Sequence, residues 1–132
     1  MKTRHKLALG VLAGILIGVA GNEAIRAQQE KPRPGYVIAE VEGKAPDPTA
    51  IKEYVAKAPQ TVASYGGHFV VRGGAVQTLE GDAPKGDIVI IGFDSVEKAR
   101  EWYDSPEYKA IRGIRQSATK SRLLLVEGVP LQ

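Results

Sequence analysis

Apolar and polar residues alternate in four short segments of the chain, and this period of two residues predicts four β-strands. The segments are YVIAEVE at 36–42, HFVV at 68–71, DIVIIGF at 87–93 and SRLLLVEG at 121–128. The second strand is predicted to continue into AVQTL at 75–79, past a bulge or bend at Gly73-Gly74.

Apolar residues at helical spacing predict a first helix between the first two strands. Asp47 is the expected N-cap, Pro48 suits the first helical position, and Gly66 supplies a left-handed stop. Pro59 lies inside this helix. Its ring and its missing N–H should kink or split the helix near 55–58.

A second helical segment follows the third strand. Ser95 should cap its start, and a second cap at Ser105, followed by Pro106, should restart the helix at a new angle. The apolar face of the restarted helix consists of Tyr108, Ile111 and Ile114. Its basic residues are Lys109, Arg112 and Arg115. We interpret them as a solvated face, with anion binding as the alternative, and the complete order is βαββαβ.

Side chains of a strand alternate between the two faces of the sheet, which sorts the strand residues into two sets. The first set is wholly apolar: Val37, Ala39, Val41, Phe69, Val71, Val89, Ile91, Phe93, Leu124 and Val126. The second set is mixed: Tyr36, Ile38, Glu40, Glu42, His68, Val70, Arg72, Ile88, Ile90, Gly92, Leu123, Leu125 and Glu127. Both helices should cover the first face. The second face would be an exposed apolar patch, so we expect a second copy of the sheet to pack on it in a homodimer.

The chain begins with a basic stretch at 2–6 and 14 apolar or glycine residues at 7–20. A membrane-spanning helix needs about 20 residues. The pattern therefore predicts a secretory signal peptide over 1–27, cleaved after Ala27, and a flexible leader at 28–35. The protein is then periplasmic or secreted, and a membrane is involved only if the segment is retained as an anchor. Residues 36–132 are expected to form a single domain.

Loss of the signal peptide changes the charge. The chain has 18 Lys and Arg and 15 Asp and Glu residues, and 14 of each sign remain after cleavage. The residues lost are Lys2, Arg4, Lys6, Arg26 and Glu23. The domain is then formally neutral, so no nucleic-acid partner is predicted.

Few residues suit a metal or a nucleotide. The chain has no cysteine, and His68 is its sole histidine outside the N-terminus, which argues against a zinc-type metal site. The glycine pairs Gly66-Gly67 and Gly73-Gly74 do not open helices, so they do not form a phosphate loop. We therefore predict no metal and no cofactor.

Three stretches of the chain are distinctive: YGGHFVVRGG at 65–74, FDSVEKAREWYDSPEYKAIRGIR at 93–115 and LLLVEGV at 123–129. Together they resemble the domain of unknown function 1330 family. The resemblance implies an α+β, ferredoxin-like protomer with an antiparallel four-stranded sheet and two helices on one face. It also implies the dimeric α+β barrel superfamily, in which two sheets face each other and enclose a cavity. Where the family usually has an arginine or lysine, this chain has His68. Where the family often has a glutamate, this chain has Gly92.

The superfamily resemblance leaves three functions open. The first is an exported homodimer that binds a small hydrophobic or aromatic molecule at the sheet face. The second is a cofactor-independent enzyme, similar to the monooxygenases or isomerases of the superfamily, acting on a small organic substrate. The third is a structural dimer without a ligand.

The mixed face supplies the candidate catalytic residues His68 and Glu40, because an imidazole titrates near neutral pH and a desolvated carboxylate can act as a base. For His68 the alternative is a strand residue that is hydrogen-bonded at the sheet edge or across the dimer. Arg72 could bind a carboxylate or pair with a glutamate of the same face. The predicted ligand-binding residues are Tyr36, Ile38, Val70, Arg72 and Ile90.

Overall fold

The computed structural model describes residues 30–43 and 48–132. The chain divides into two units, Met1–Lys31 and Pro32–Gln132, and every element described below belongs to the second. The strands are β1 (Gly35–Glu42), β2 (His68–Arg72), β3 (Asp87–Phe93) and β4 (Lys120–Glu127). The helices are α1 (Pro48–Ser64), α2 (Val96–Tyr103) and α3 (Pro106–Ala118). The predicted signal peptide and the predicted cap Asp47 lie outside the described residues.

The four strands form one antiparallel sheet in the order β2-β3-β1-β4. Ile38 at the centre of β1 lies opposite Ile90 on one side and Leu124 on the other. This confirms the predicted α+β, ferredoxin-like fold. Three helices take the place of the two expected, since the second helical segment is divided in two.

The division between α2 and α3 is the predicted one. The Ser95 hydroxyl accepts a hydrogen bond from the backbone N–H of Lys98 at 3.1 Å, and Ser105 accepts one from Tyr108 at the same distance. Each cap therefore begins its own helix. The sequence signal, a serine before the first helical residue, was sufficient to place both starts.

Helix α1 differs from the prediction, because it runs through Pro59 without a break. A proline at 59 cannot donate to the carbonyl of Val55. That oxygen accepts a hydrogen bond from Nη2 of Arg72 at 3.2 Å instead. The helix ends at Ser64, and Gly66 supplies the predicted stop: its φ of +73° is left-handed, and Gly67 N–H donates to Val62 O at 3.0 Å.

The predicted continuation of β2 into 75–79 is wrong. The strand ends at Arg72, and no strand is assigned over 73–86. Gly73 has a φ of +66°, and its N–H donates to Ile88 O at 2.9 Å, which turns the chain away from the sheet. The bulge lies earlier, between Phe69 and Val71, which are opposite Ile91 and Ile90 respectively.

The core lies between the helices and one face of the sheet, here called the helix-covered face. Trp102, Tyr108, Phe93 and Val62 are its largest fully buried side chains. Strands β1 and β3 present to it the residues predicted, with Val37, Ala39, Ile91 and Phe93 buried.

Strand β4 has the opposite phase to the one predicted. Leu123 and Leu125 pack against the core, whereas Leu124 and Val126 are 47% and 42% exposed. Residues 123–126 are all apolar, so the sequence indicates a strand there but does not show which of its residues face the helices. The pairing of Ala39 with Leu123 fixes the phase.

No helix among the described residues is long and apolar enough to span a membrane.

Candidate functional site

The sheet surface away from the helices, here called the open face, carries most of the residues predicted from sequence. Tyr36, Ile38 and Ile90 lie on it half-buried, and Val70 at the bulge is 52% exposed. No helix of the described residues packs on this face.

His68 lies at the edge of the open face, opposite Gly92. A Cβ atom at residue 92 would lie 3.0 Å from Cε1 and 3.1 Å from Nε2 of the His68 ring. The imidazole therefore covers the space that a longer side chain at residue 92 would fill. The His68 imidazole forms no hydrogen bond to any described residue of this protomer.

Glu40 lies on the open face but belongs to a different row. Its carboxylate is 3.5 Å from Nη2 of Arg122, and Glu40 pairs across the strands with Ile88. The row of paired residues that contains His68 runs across the strands through Gly92 to Tyr36 instead. Four residues along β1 separate the two rows, or about 13 Å. The structure does not bring these two predicted catalytic residues into one reaction centre.

Arg72 lies on the helix-covered face, contrary to its predicted place beside His68. The bulge in β2 shifts the alternation, and Arg72 lies opposite the core-facing residue Val89. Its guanidinium carbon is 4.5 Å from the ring centre of Phe69, in addition to the bond to Val55. None of the expected glutamate pairs forms. Glu40 pairs with Arg122, and the two remaining glutamates, Glu42 and Glu127, form no pair with Arg72.

An apolar cavity of about 540 Å³ lies between α1 and the helix-covered face. It is situated at the end of the sheet where strands β1 and β2 finish and strands β3 and β4 begin. The apolar lining includes Ile51, Val62, Val37, Val89, Ile91 and Trp102. Of the residues predicted to bind a ligand, only Arg72 lines this cavity.

A cluster of four polar side chains borders the cavity and was not predicted as a site. The hydroxyls of Tyr54 and Tyr108 share a hydrogen bond of 2.9 Å, and Nε of Arg115 donates to the Tyr108 oxygen at 3.3 Å. Nη1 of Arg115 donates to Oγ of Ser121 on β4. Tyr54, Tyr108 and Arg115 all line the cavity. We call these four residues the Tyr-Arg cluster.

Burial and the neighbouring side chains together set the protonation states of Tyr54 and Arg115 in the Tyr-Arg cluster. Burial and the neighbouring Tyr108 raise the pKa of Tyr54 above its ordinary range, so its hydroxyl stays protonated and can donate. Burial opposes the charge of Arg115, but the tyrosine oxygens outweigh it and raise the pKa of the guanidinium. The cluster therefore places the neutral phenol of Tyr54 close to a fixed cation.

Arg115 is only 5% exposed, which corrects its interpretation as part of a solvated basic face. Tyr108, Ile111 and Arg115 follow one another at three and four residues, the spacing of one helix face, and all three are buried. This spacing was the available signal. Lys109 is exposed, and Arg112 lies over the ring of Tyr103 at 4.6 Å.

Burial of Arg115 is energetically demanding. Removing an ion from water is unfavourable by several kcal/mol, whereas the C-terminus of a helix such as α3 returns about 0.3–1 kcal/mol to a cation. Hydroxyl groups solvate the guanidinium but do not neutralise it. Among the described residues no carboxylate lies within 4.0 Å of its nitrogens.

The same residues contain no cluster of three or more His, Cys, Asp or Glu side chains that could hold a metal ion.

Comparison with solved structures finds the same fold in proteins of distant sequence. A protein of unknown function from Rhodopseudomonas palustris superposes with a TM-score of 0.58 at 22% identity, over 85% of this chain and 93% of that one. Its methylated form matches with a TM-score of 0.58 at 21% identity, over 85% and 91%. A hypothetical Arabidopsis thaliana protein, determined in solution, matches with a TM-score of 0.53 at 16% identity, over 80% and 96%.

Comparison with curated proteins gives no match. Comparison with protein families does: residues 34–129 match the family described as Domain of unknown function (DUF1330). This range contains all three stretches that carry the resemblance, together with every strand and helix of the sheet domain. The chain therefore belongs to the DUF1330 family.

Proposed function

We propose that this protein binds a small, mainly apolar organic molecule in the cavity between α1 and the sheet. The observation that supports this is the cavity itself, about 540 Å³ in volume, with an apolar lining and a few polar groups. Ligand sites generally occupy about 300–1,000 Å³ and combine an apolar lining with a small number of placed polar groups. The proposal keeps the predicted class of ligand and moves the site to the other face of the sheet.

The open face supports ligand binding less well. Its depression beside Glu40 is bordered by the loop at 82–85 and by charged residues of the strand ends. These charges are Glu40, Glu42, Asp82, Lys85, Lys120 and Arg122. They do not suit an apolar molecule. His68 and Glu40 also lie outside the apolar cavity, so the geometry supports binding better than acid–base catalysis by these two residues.

Filling the cavity tests the proposal. Ala58 is buried on α1 and lines the cavity, so Ala58→Leu places additional carbon atoms in the ligand volume. We expect the wild-type protein to bind the neutral dye N-phenyl-1-naphthylamine saturably, one per chain. The Ala58→Leu variant should bind it about tenfold more weakly, or about 1.4 kcal/mol. Fluorescence titration measures both constants.

Ala56→Leu is the matched control, because Ala56 lies on the exposed side of the same helix. Its dye affinity should equal that of the wild type. Absence of dye binding to the wild type, or equal affinity in Ala58→Leu, would contradict the proposed site.

A second part of the proposal is a homodimer through the open face, as the superfamily resemblance implies. The exposed apolar side chains Val70, Leu124 and Val126 support it, together with half-buried Ile38 and Ile90 on the strands between them. They form a band across all four strands, which is unusual on a soluble surface and marks an interface. A two-fold axis would also let Glu40 and Arg122 of one copy meet the opposite charges of the other.

Export remains the proposal for the N-terminus, on the sequence pattern described above. We expect the protein recovered from its native cells to begin at Gln28, so its intact mass should lack residues 1–27. A full-length mass in a membrane fraction would contradict cleavage and support the anchor.

A further inference from the structure

We infer that the cavity selects an organic oxyanion, such as a carboxylate, whose charged group contacts Arg115 and Tyr54 while its apolar body occupies the cavity. The inference deepens the proposed function and depends on it. It begins from an imbalance of charge at the cavity, where a buried guanidinium has hydroxyl partners and, among the residues that the structure describes, no carboxylate partner.

The charges that line the cavity do not cancel. Arg115 and Arg72 are both lining residues, and Asp87 is the one carboxylate in the described lining. Asp87 is exposed, and neither arginine lies within 4.0 Å of it. Asp87 and Ser121, the partner of Arg115, are opposite Val41 on its two sides, so two strand spacings, or about 10 Å, separate their backbones. An anionic ligand would supply the missing charge.

Arg115 also has unused hydrogen-bond donors. A guanidinium has five N–H groups. The group on Nε is directed to Tyr108, and Nη1 donates to Ser121. The structure assigns no hydrogen bond to Nη2. No fully buried side-chain nitrogen of the described residues lacks a partner, so Nη2 retains accessible surface in a residue that lines the cavity. It is the donor available to a ligand.

Tyr54 supplies a second donor beside the cation. Its hydroxyl is protonated and shares one hydrogen bond with Tyr108, and the Tyr108 oxygen in turn accepts from Arg115. A phenol O–H can rotate toward an incoming oxygen. Charge-assisted hydrogen bonds from a phenol and a guanidinium are stronger than those to a neutral group, which gives the site its preference for an anion.

A purely structural role for Arg115 predicts a different outcome. The guanidinium joins α3 to β4 through Ser121, and that role alone would leave the cavity indifferent to ligand charge. The comparison between an anion and a neutral molecule of the same shape therefore separates the two roles.

The test compares 2-naphthoate with 2-naphthamide by calorimetry at pH 8, where the carboxylate is ionised. We expect wild-type protein to bind the carboxylate at least about tenfold more tightly than the amide. Arg115→Met should bring that ratio close to one while leaving amide binding in place. Arg112→Met is the control, since Arg112 lies over Tyr103 and does not line the cavity, and its ratio should equal that of the wild type.

Tyr54→Phe keeps the Arg115 contacts to Tyr108 and Ser121 intact, so it covers the case in which Arg115→Met does not fold. Tyr54→Phe should lower the ratio of carboxylate affinity to amide affinity about threefold. Equal binding of carboxylate and amide by the wild type would overturn the oxyanion inference and leave the proposed function standing. Failure of both probes and of the neutral dye would overturn the proposed function as well.

Discussion

Replacing Trp102 with alanine should lower the free energy of unfolding by about 3–5 kcal/mol, the range for removing a large buried aromatic ring. Trp102 is fully buried, and its ring centre lies 4.0 Å from that of Tyr108 and 5.5 Å from that of Phe93. It therefore contacts both the sheet and α3. A domain of this size has about 5–15 kcal/mol of stability in total, so this substitution removes a large part of it.

A hydrogen bond adds to the packing. The indole N–H of Trp102 donates to Thr61 at 3.0 Å, and the Thr61 hydroxyl donates to Ala58 O at 2.7 Å, which connects α2 to α1 beside the cavity. Trp102→Phe keeps an aromatic ring and removes this bond, so it should destabilise by about 1–2 kcal/mol. The difference between the two variants separates packing from hydrogen bonding.

Urea unfolding followed by far-UV circular dichroism measures both variants. Circular dichroism is the suitable signal because Trp102 is the sole tryptophan of the chain, and its fluorescence is lost with it. A loss below about 1 kcal/mol for Trp102→Ala would mean that the helical layer does not depend on this side chain.

The fold was predictable because its signals are local and agree with one another. Alternation in β1 and β3 and the caps Ser95 and Ser105 each placed an element within one or two residues of its observed bounds. These patterns gave the order βαββαβ, and the resemblance of three separate stretches to one family then implied the antiparallel four-stranded sheet. Local periodicity and caps suffice where each strand has one clearly apolar face.

The candidate site was not predictable, because it depends on which residues of each strand face the helices and on contacts between residues that are distant in sequence. The bulge between Phe69 and Val71 turns Arg72 to the helix-covered face, and no residue pattern in HFVVR distinguishes that bulge from a regular strand. Arg115 follows Tyr108 and Ile111 at helical spacing. Its charge nevertheless argued for a solvent position, since arginine is rarely buried without a partner.

Pro59 and Arg72 illustrate how two such features combine. The proline leaves Val55 O without its helical donor, and the bulge directs Arg72 to that oxygen at 3.2 Å. Together they join α1 to β2 at the edge of the cavity. Each feature alone departs from the regular pattern of its element, and the contact between them satisfies the carbonyl that the proline leaves without a helical donor.

Replacing Leu124 with lysine should dissociate the proposed dimer. Leu124 lies midway along the edge strand β4 on the open face, opposite Ile38, and is 47% exposed in the isolated protomer. Two-fold symmetry would place both new lysines in one interface, where desolvation and mutual repulsion weaken association about a hundredfold or more. The fold itself should change by less than about 0.5 kcal/mol, because the side chain is exposed within each protomer.

Sedimentation at micromolar concentration distinguishes the outcomes. The wild type should have the mass of two chains and Leu124→Lys the mass of one. Ala110→Lys is the control, since Ala110 is exposed on α3, on the helical side of the sheet; this variant should stay dimeric. A monomeric wild type would remove the dimer from the proposal, and a dimeric Leu124→Lys would place the interface elsewhere. Dye binding in the cavity should survive dissociation, because the cavity lies between α1 and the helix-covered face, on the opposite side of the sheet from the proposed interface.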